Sequence, residues 1–366
     1  MTYIVGWENK TSSFIVGDSI LTYENRRPII TNSISTFKEK LLDQPGDYQI
    51  EGCNKIFNFK DKLLIGFATD YVLDVVLMLE YIEENLDYEN IKGSLLNILP
   101  DKCPDDTELI IAFIQEGKPI LGRYDKDFNE IEDDGMALQI GSGTDSEAFS
   151  GLSDDICSDL EINGTKSDDE LLLISVCTHQ HLMVKHELTQ IGAGGIVPGA
   201  RISEEGVSWQ PSTSYVQYSI DKEQADHDRF KEIGLIHVTF FTDVMTYFSS
   251  YIDITALTRN FLVRCDPHKG DPKTISKRAK YRIDNIDTEK SDQFYNRPDS
   301  DYIVFFSNQT DLNSKIFIIK NDGEQIFANI TCMDKDGYYN IDISKEFLDV
   351  IQEESKSSKI EYVFMN

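Results

Sequence analysis

From Asp70 to Asn85 the apolar residues Tyr71, Val72, Val75, Val76, Leu79 and Ile82 recur at helical spacing and predict an amphipathic helix. Ile91–Leu99 predicts a second helix ended by Pro100, and Asp168–Leu188 a longer one. Alternating apolar runs broken by turn residues predict hairpins elsewhere. Thr2–Trp7 and Ser13–Val16 flank Glu8-Asn9-Lys10, Lys55–Phe59 and Leu63–Phe67 flank Lys60-Asp61, and Glu108–Ile114 and Pro119–Tyr124 flank Glu116-Gly117-Lys118. Ala137–Ile140 reads as a strand leading into Gly141-Ser142-Gly143 and a helix from about Asp145, and Ala200–Ser203 with Gly206–Trp209 closes another hairpin. Between Tyr23 and Gly52 periodicity is poor and the chain reads as polar and irregular. Hairpins rather than strand–helix–strand crossovers predict an α+β fold of antiparallel sheets layered with helices.

The pattern changes after Asp221. A charged stretch, Asp221–Lys231, precedes an aromatic-rich one, Ile236–Tyr251. Strands are predicted at Tyr302–Phe306, Lys315–Lys320 and Gln325–Thr331, with a turn at Asn321-Asp322-Gly323. A length of 366 residues suits two domains. The expected division is residues 1–221 and a C-terminal α/β accessory domain, residues 222–366.

Composition narrows the partners. The chain has 40% hydrophobic residues, enough for a packed core, and 35 basic against 64 acidic residues give a net charge of −29. So acidic a surface repels phosphate backbones and anionic lipid, so neither nucleic acid nor a membrane surface is an expected partner. The opening MTYIVGWENK lacks the basic and apolar regions of a signal peptide, and Tyr71–Ile82 is too short to span a bilayer. Cys53, Cys103, Cys157, Cys177, Cys265 and Cys332 form no CxxC pair. That predicts reduced thiols in a cytoplasmic protein rather than a disulfide frame or zinc site. His179, His181 and His186 lie on one predicted helix without the i,i+4 spacing of metal ligands. Gly141-Ser142-Gly143 follows a strand and opens a helix, as half of a dinucleotide fingerprint does, but Ser146 stands where the third glycine belongs. No cofactor or metal is expected.

Thr2 offers another chemistry. A threonine exposed by removal of Met1 carries a hydroxyl that can attack a carbonyl. Its own α-amine, with an ordinary pKa of about 7.7–8.0, can accept the proton. Thr2-Tyr3-Ile4-Val5-Gly6, followed by Val16-Gly17-Asp18-Ser19, resembles the opening of proteasome β subunits and of the proteasome-like subunit of bacterial two-component proteases. Lys55-Ile56 running into Leu64-Ile65-Gly66-Phe67-Ala68 resembles that family's catalytic lysine and site-shaping loop, and Ile140-Gly141-Ser142-Gly143 resembles its G-S-G. The likeness runs in order to about residue 215.

The resemblance implies a four-layer αββα sandwich of the N-terminal-nucleophile hydrolase class and a threonine-type peptidase or amidohydrolase. Thr2 would be nucleophile and, through its amine, base. Lys55 would lower the proton affinity of the Thr2 site, Asp18 would hold Lys55, and Ser142 would hydrogen-bond the α-amine or a bridging water. The backbone N–H of Thr69 would bind the oxyanion. It further implies peptide or protein substrates, a homo-oligomeric particle and an ATPase or other gating partner. The missing helix ahead of Thr2 favours the catalytic β type.

The chain departs from that pattern in places. Thr69-Asp70 stands for Gly-Gly, and Gln190 and Ala193 stand for an aspartate and a serine. A long insertion separates Asp18 from Lys55, so Lys38 and Lys40 compete for the lysine's role. An inactive assembly or binding module of the same fold is the alternative reading.

Overall fold

The computed structural model describes residues 2–24, 35, 37, 39–44, 47–51, 53–132, 137–162, 166–220, 230–241, 244–251, 254–264, 300–307, 316–321, 327–332, 339–354 and 362–365. The chain forms two compact units. One holds Met1–Gln210 with Thr242–Val244 and Leu262–Ile275, the other Pro211–Phe241, Met245–Phe261 and Ser276–Asn366. The strand Thr213–Ile220 thus belongs to the second unit, ahead of the break expected near Asp221.

Two five-stranded sheets build the first unit. In spatial order the first contains Leu138–Ile140, Ile4–Glu8, Ser12–Gly17, Gly199–Ser203 and Gly206–Trp209. The second contains Glu130–Glu132, Lys118–Asp125, Thr107–Gln115, Leu63–Thr69 and Ile56–Phe59. Every neighbouring pair is antiparallel. Ile4, Ile15 and Ile202 of the first sheet share one apolar cluster with Leu64, Ile110 and Leu121 of the second, so the sheets pack face to face. Glycines set how closely. A Cβ on Gly66 would lie 2.9 Å from Ile4 Cγ2, and one on Gly6 would lie 2.9 Å from Ile110 Cγ2.

The second sheet's other face carries Leu63, Ile65 and Phe67, packed with Val75, Leu79 and Ile82 of the helix Val72–Asn85 and Leu95 and Leu99 of the helix Ile91–Lys102. Leu63–Thr69 is buried on both faces, which is why it reads as a continuous apolar run. Each such side chain contributes about 1.5–3 kcal/mol through burial.

On the first sheet lies the helix Asp168–Lys185, started by a capping box between Ser167 and Glu170. A Cβ on Gly199 would meet Val176 Cγ2 at 2.5 Å, so the helix rests on that strand. The layering is helix, sheet, sheet, helix.

Two local expectations are corrected. Pro100 does not end its helix, which continues to Lys102. Proline leaves the carbonyl four residues earlier without its donor, and here Asn129 Nδ2 supplies one to Leu96 O at 3.2 Å. The stretch read as irregular holds the end of the strand Ile20–Glu24 and the strands Asp43–Gln44 and Asp47–Glu51, and the three make an antiparallel sheet. Its polar side chains hide the alternation because they face other backbone: Gln49 Nε2 donates to Thr189 O at 2.6 Å.

In the second unit Tyr362–Met365, Ile316–Lys320, Tyr302–Ser307, Thr213–Ile220 and Phe230–Phe241 neighbour one another in that order, with parallel and antiparallel pairs. Phe347 of the helix Lys345–Glu354 meets the rings of Phe305 and Phe317 edge-on, at 5.0 and 5.5 Å between centroids. The aromatic stretch falls largely in the strands Phe230–Phe241 and Val244–Tyr251. The third predicted strand is found at Ala328–Cys332, and Asp322-Gly323 and most of Asp221–Lys231 lie outside the described residues. Among the described residues no helix is long and apolar enough to cross a membrane.

Candidate active site

Register brings Asp18 to the start of the chain. Ile4 pairs with Gly17 across the first hairpin, so the next position out sets Tyr3 opposite Asp18. Tyr3 N donates to Asp18 Oδ1 at 2.9 Å, and Asp18 N donates to Tyr3 O at 3.0 Å. Lys55 immediately precedes the strand Ile56–Phe59, and its carbonyl accepts from Phe67 N at 3.2 Å. Its Nζ lies 2.7 Å from Asp18 Oδ1, with both side chains fully buried. Ile20 N and Gly194 N donate to Asp18 Oδ2 at 3.1 and 3.2 Å. Four donors therefore surround one buried carboxylate, offsetting the cost of taking it out of water. Burial pushes the Lys55 ammonium down from its ordinary value, while the Asp18 charge and hydrogen bond oppose that shift.

Ser142 reaches the same end of the sheet. It opens a short helical turn, Ser142–Asp145, directly after the strand Leu138–Ile140. Ser142 Oγ donates to Ile191 O at 2.9 Å and accepts from Thr2 N at 3.1 Å. Gly143 N donates to Thr2 O at 3.3 Å. Both flanking glycines are required. Gly141 has φ +88°, and a Cβ on it would lie 2.2 Å from Thr2 O, while one on Gly143 would lie 2.3 Å from Tyr3 Cδ2.

Thr69 ends the strand Leu63–Thr69 in the same corner, since the Cβ built on Gly141 would also meet Ala68 Cβ at 3.1 Å. The Thr69 hydroxyl is engaged with Thr107 Oγ1 at 2.9 Å and accepts from Tyr71 N at 2.9 Å. Thr2, Asp18, Lys55 and Ser142 are thus joined by hydrogen bonds directly or through Tyr3, and the Thr69 strand end stands beside them. Lys40 is exposed, and Lys38 lies outside the described residues. Gln190 bonds Glu187 Oε2 at 2.8 Å, and Ala193 is fully buried.

Sequence reading missed the buried and partly buried groups that hold these residues from behind. Tyr3 Oη contacts Gln139 Oε1 at 2.8 Å and Ser153 Oγ at 2.7 Å, and Ser153 Oγ contacts His179 Nε2 at 2.7 Å. His179 Nδ1 lies 2.7 Å from Ser175 O, which makes Nδ1 the protonated nitrogen. Burial lowers the pKa of His179 to about 4, so it is a neutral structural histidine. Glu39 and Glu51, from the stretch read as irregular, are described below. No motif could have found these residues, because polar residues in strands and helices read as solvated faces.

Among the described residues no group of three or more His, Cys, Asp or Glu could hold a metal ion. The cysteine expectation needs correcting. Cys53 is disulfide-bonded, its partner side chain lying outside the described residues, while Cys103, Cys157 and Cys177 are buried thiols. Sequence spacing identifies close pairs and is blind to thiols that folding brings together. In comparisons with known proteins, no family model and no curated protein matches this chain.

Proposed function

We propose that the first unit is a proteasome β-like N-terminal-nucleophile hydrolase that cleaves amide bonds of peptides or proteins with Thr2, once Met1 has been removed. One observation carries this reading: Ser142 Oγ and the buried Lys55–Asp18 pair converge on the backbone of Thr2 and Tyr3. The Thr2 hydroxyl attacks the substrate carbonyl carbon, and its proton passes to the Thr2 α-amine. The positive charge of Lys55 favours that oxygen as it becomes anionic, and the backbone N–H of Thr69 is the candidate oxyanion donor. Collapse of the tetrahedral intermediate breaks the C–N bond, the amine returning the proton to the leaving nitrogen. Water then hydrolyses the ester on Thr2 and restores the hydroxyl. The same reading includes self-association into a particle and a separate gating partner such as an ATPase.

A different observation favours a binding or assembly module. In the chain that still carries Met1, Thr2 is only 3% exposed. Intact-mass measurement with a panel of fluorogenic peptides separates the two. The hydrolase reading expects a mature chain starting at Thr2, and a loss of roughly a thousandfold or more in turnover for Thr2→Ala. Retained Met1, or equal turnover by wild type and Thr2→Ala, overturns it.

A further inference from the structure

Three consecutive backbone amides in the turn after the long helix each donate to a different carboxylate. Gly194 N reaches Asp18 Oδ2 at 3.2 Å, Gly195 N reaches Glu39 Oε2 at 2.8 Å, and Ile196 N reaches Glu51 Oε1 at 2.7 Å. The glycines make this possible. Gly194 and Gly195 have φ of +143° and +74°, and Cβ atoms there would lie 2.7 Å from Glu39 Oε1 and 2.9 Å from Glu51 Oε1. The carbonyls on the same turn are also held: Ser19 N donates to Gly194 O at 3.1 Å and Gln180 Nε2 to Gly195 O at 2.7 Å.

Glu39 is the unusual member. It is 7% exposed, and among the described residues its Oε1 has no hydrogen-bond partner. Its Oε2 also accepts from Ser35 Oγ at 2.9 Å. Among the described residues the groups around it are Ser35 on its own segment, Asp18 at the corner after the second strand, Glu51 on the strand Asp47–Glu51, and Thr189 on the turn Leu188–Ile191. None of these is a cation, and the nearby ammonium of Lys55 is already bound to Asp18. A charged Glu39 would leave a bare anionic oxygen in the interior beside two other carboxylates, which costs more than burying the uncharged acid.

We propose that Glu39 is a positioning residue for the candidate site: as an uncharged acid it stays in the interior and holds the Gly194–Gly195 turn against Asp18, and its ionisation favours an opened turn in which the carboxylate regains water. This rests on the reading that Asp18 and Lys55 serve Thr2. The ionisation falls in an accessible range. Burial pushes the Glu39 carboxyl up to about 8, with the Glu51 and Asp18 charges adding to the rise and the Gly195 and Ser35 hydrogen bonds opposing it. The turn therefore loosens progressively as pH rises towards about 8, and hydrolysis loses its alkaline limb with it.

Hydrogen–deuterium exchange by mass spectrometry over residues 188–198 tests this on the wild-type chain, without requiring activity. After correction for intrinsic base catalysis, protection is expected to fall about tenfold between pH 7 and 9, following the uncharged fraction of Glu39. Glu39→Gln, which cannot ionise, is expected to keep constant protection and, in an active enzyme, to hold kcat at pH 9 within about twofold of its value at pH 7. Glu39→Ala is expected to lose protection at every pH. Protection in wild type that stays constant from pH 7 to 9, or that falls equally in Glu39→Gln, overturns the proposal. Should Glu39→Gln not fold, the wild-type measurement still decides. Absence of any turnover alongside the expected exchange behaviour overturns the hydrolase reading and leaves the Glu39 switch standing.

Discussion

Lys55 Nζ sits 2.7 Å from Asp18 Oδ1, and neither side chain has any exposed surface. Such a pair is costly to break from one side, because the survivor is left as an uncompensated charge in the interior. It is also the feature that links the first hairpin to the second sheet at the start of the chain.

Lys55→Met alone is expected to destabilise the first unit by about 3–5 kcal/mol, since it strands Asp18. Asp18→Asn combined with Lys55→Met is expected to recover only part of that loss, because the amide NH2 then faces a backbone N–H donor, while the variant remains unable to turn over peptide. Urea titration of the double-mutant cycle measures the coupling, which is expected to exceed about 1 kcal/mol. Additive losses would show that the pair contributes no net coupling.

Two glycines should respond in opposite directions to alanine. Gly141 has φ +88° and no room for a Cβ against Thr2 O, so Gly141→Ala is expected to cost roughly 1–3 kcal/mol and displace Thr2. Gly151 lies within the helix Glu147–Ile162, and a Cβ there meets nothing within 4 Å among the described residues. Gly151→Ala is expected to stabilise by about 0.5–1 kcal/mol through the lower chain entropy of alanine. Thermal melts of the two variants check both signs.

Acid should destabilise the protein through its histidines. Burial lowers His179, His181 and His237 from 6.5 to about 4, Lys185 and His186 adding to the shift at His181. The unfolded chain therefore takes up protons below about pH 6.5 that the folded chain refuses until about pH 4, so stability falls as pH drops through that window. Each histidine contributes a slope of about 1.4 kcal/mol per pH unit there. His237 acts on the second unit and the other two on the first. Glu39 has the opposite sign, its raised value removing stability as pH climbs from 4.5 to about 8. Within the first unit His179 and His181 thus favour higher pH up to about 6.5, and Glu39 opposes them. Denaturant titrations between pH 4 and 8 should show the acid slope reduced by about one proton in His179→Gln; an unchanged slope would mean that His179 is not the refused proton.

The sequence by itself determined the local elements of the first unit. Helical spacing from Tyr71 to Ile82 and the turn residues between apolar runs fix short-range geometry, which depends only on neighbours along the chain. The placement of Asp18 opposite Tyr3 belongs here too, because a hairpin's register follows from its turn and its strand lengths. Pro100 marks the limit of local reasoning, since the donor that lets its helix continue, Asn129, lies on a distant segment.

Only the tertiary structure decided which polar residues are interior. Ser142 meets Thr2 across 140 positions, Gly194 meets Asp18 across 176 and Gly195 meets Glu39 across 156. A glutamate in a polar stretch reads as solvated, because a polar group leaves water only when partners replace that water. For Glu39 and Glu51 those partners are backbone amides of a turn that no local pattern relates to them. The engagement of these acids, and the burial of Glu39, is thus a property of the packed fold, whereas the Thr2–Asp18 spacing is a property of one hairpin.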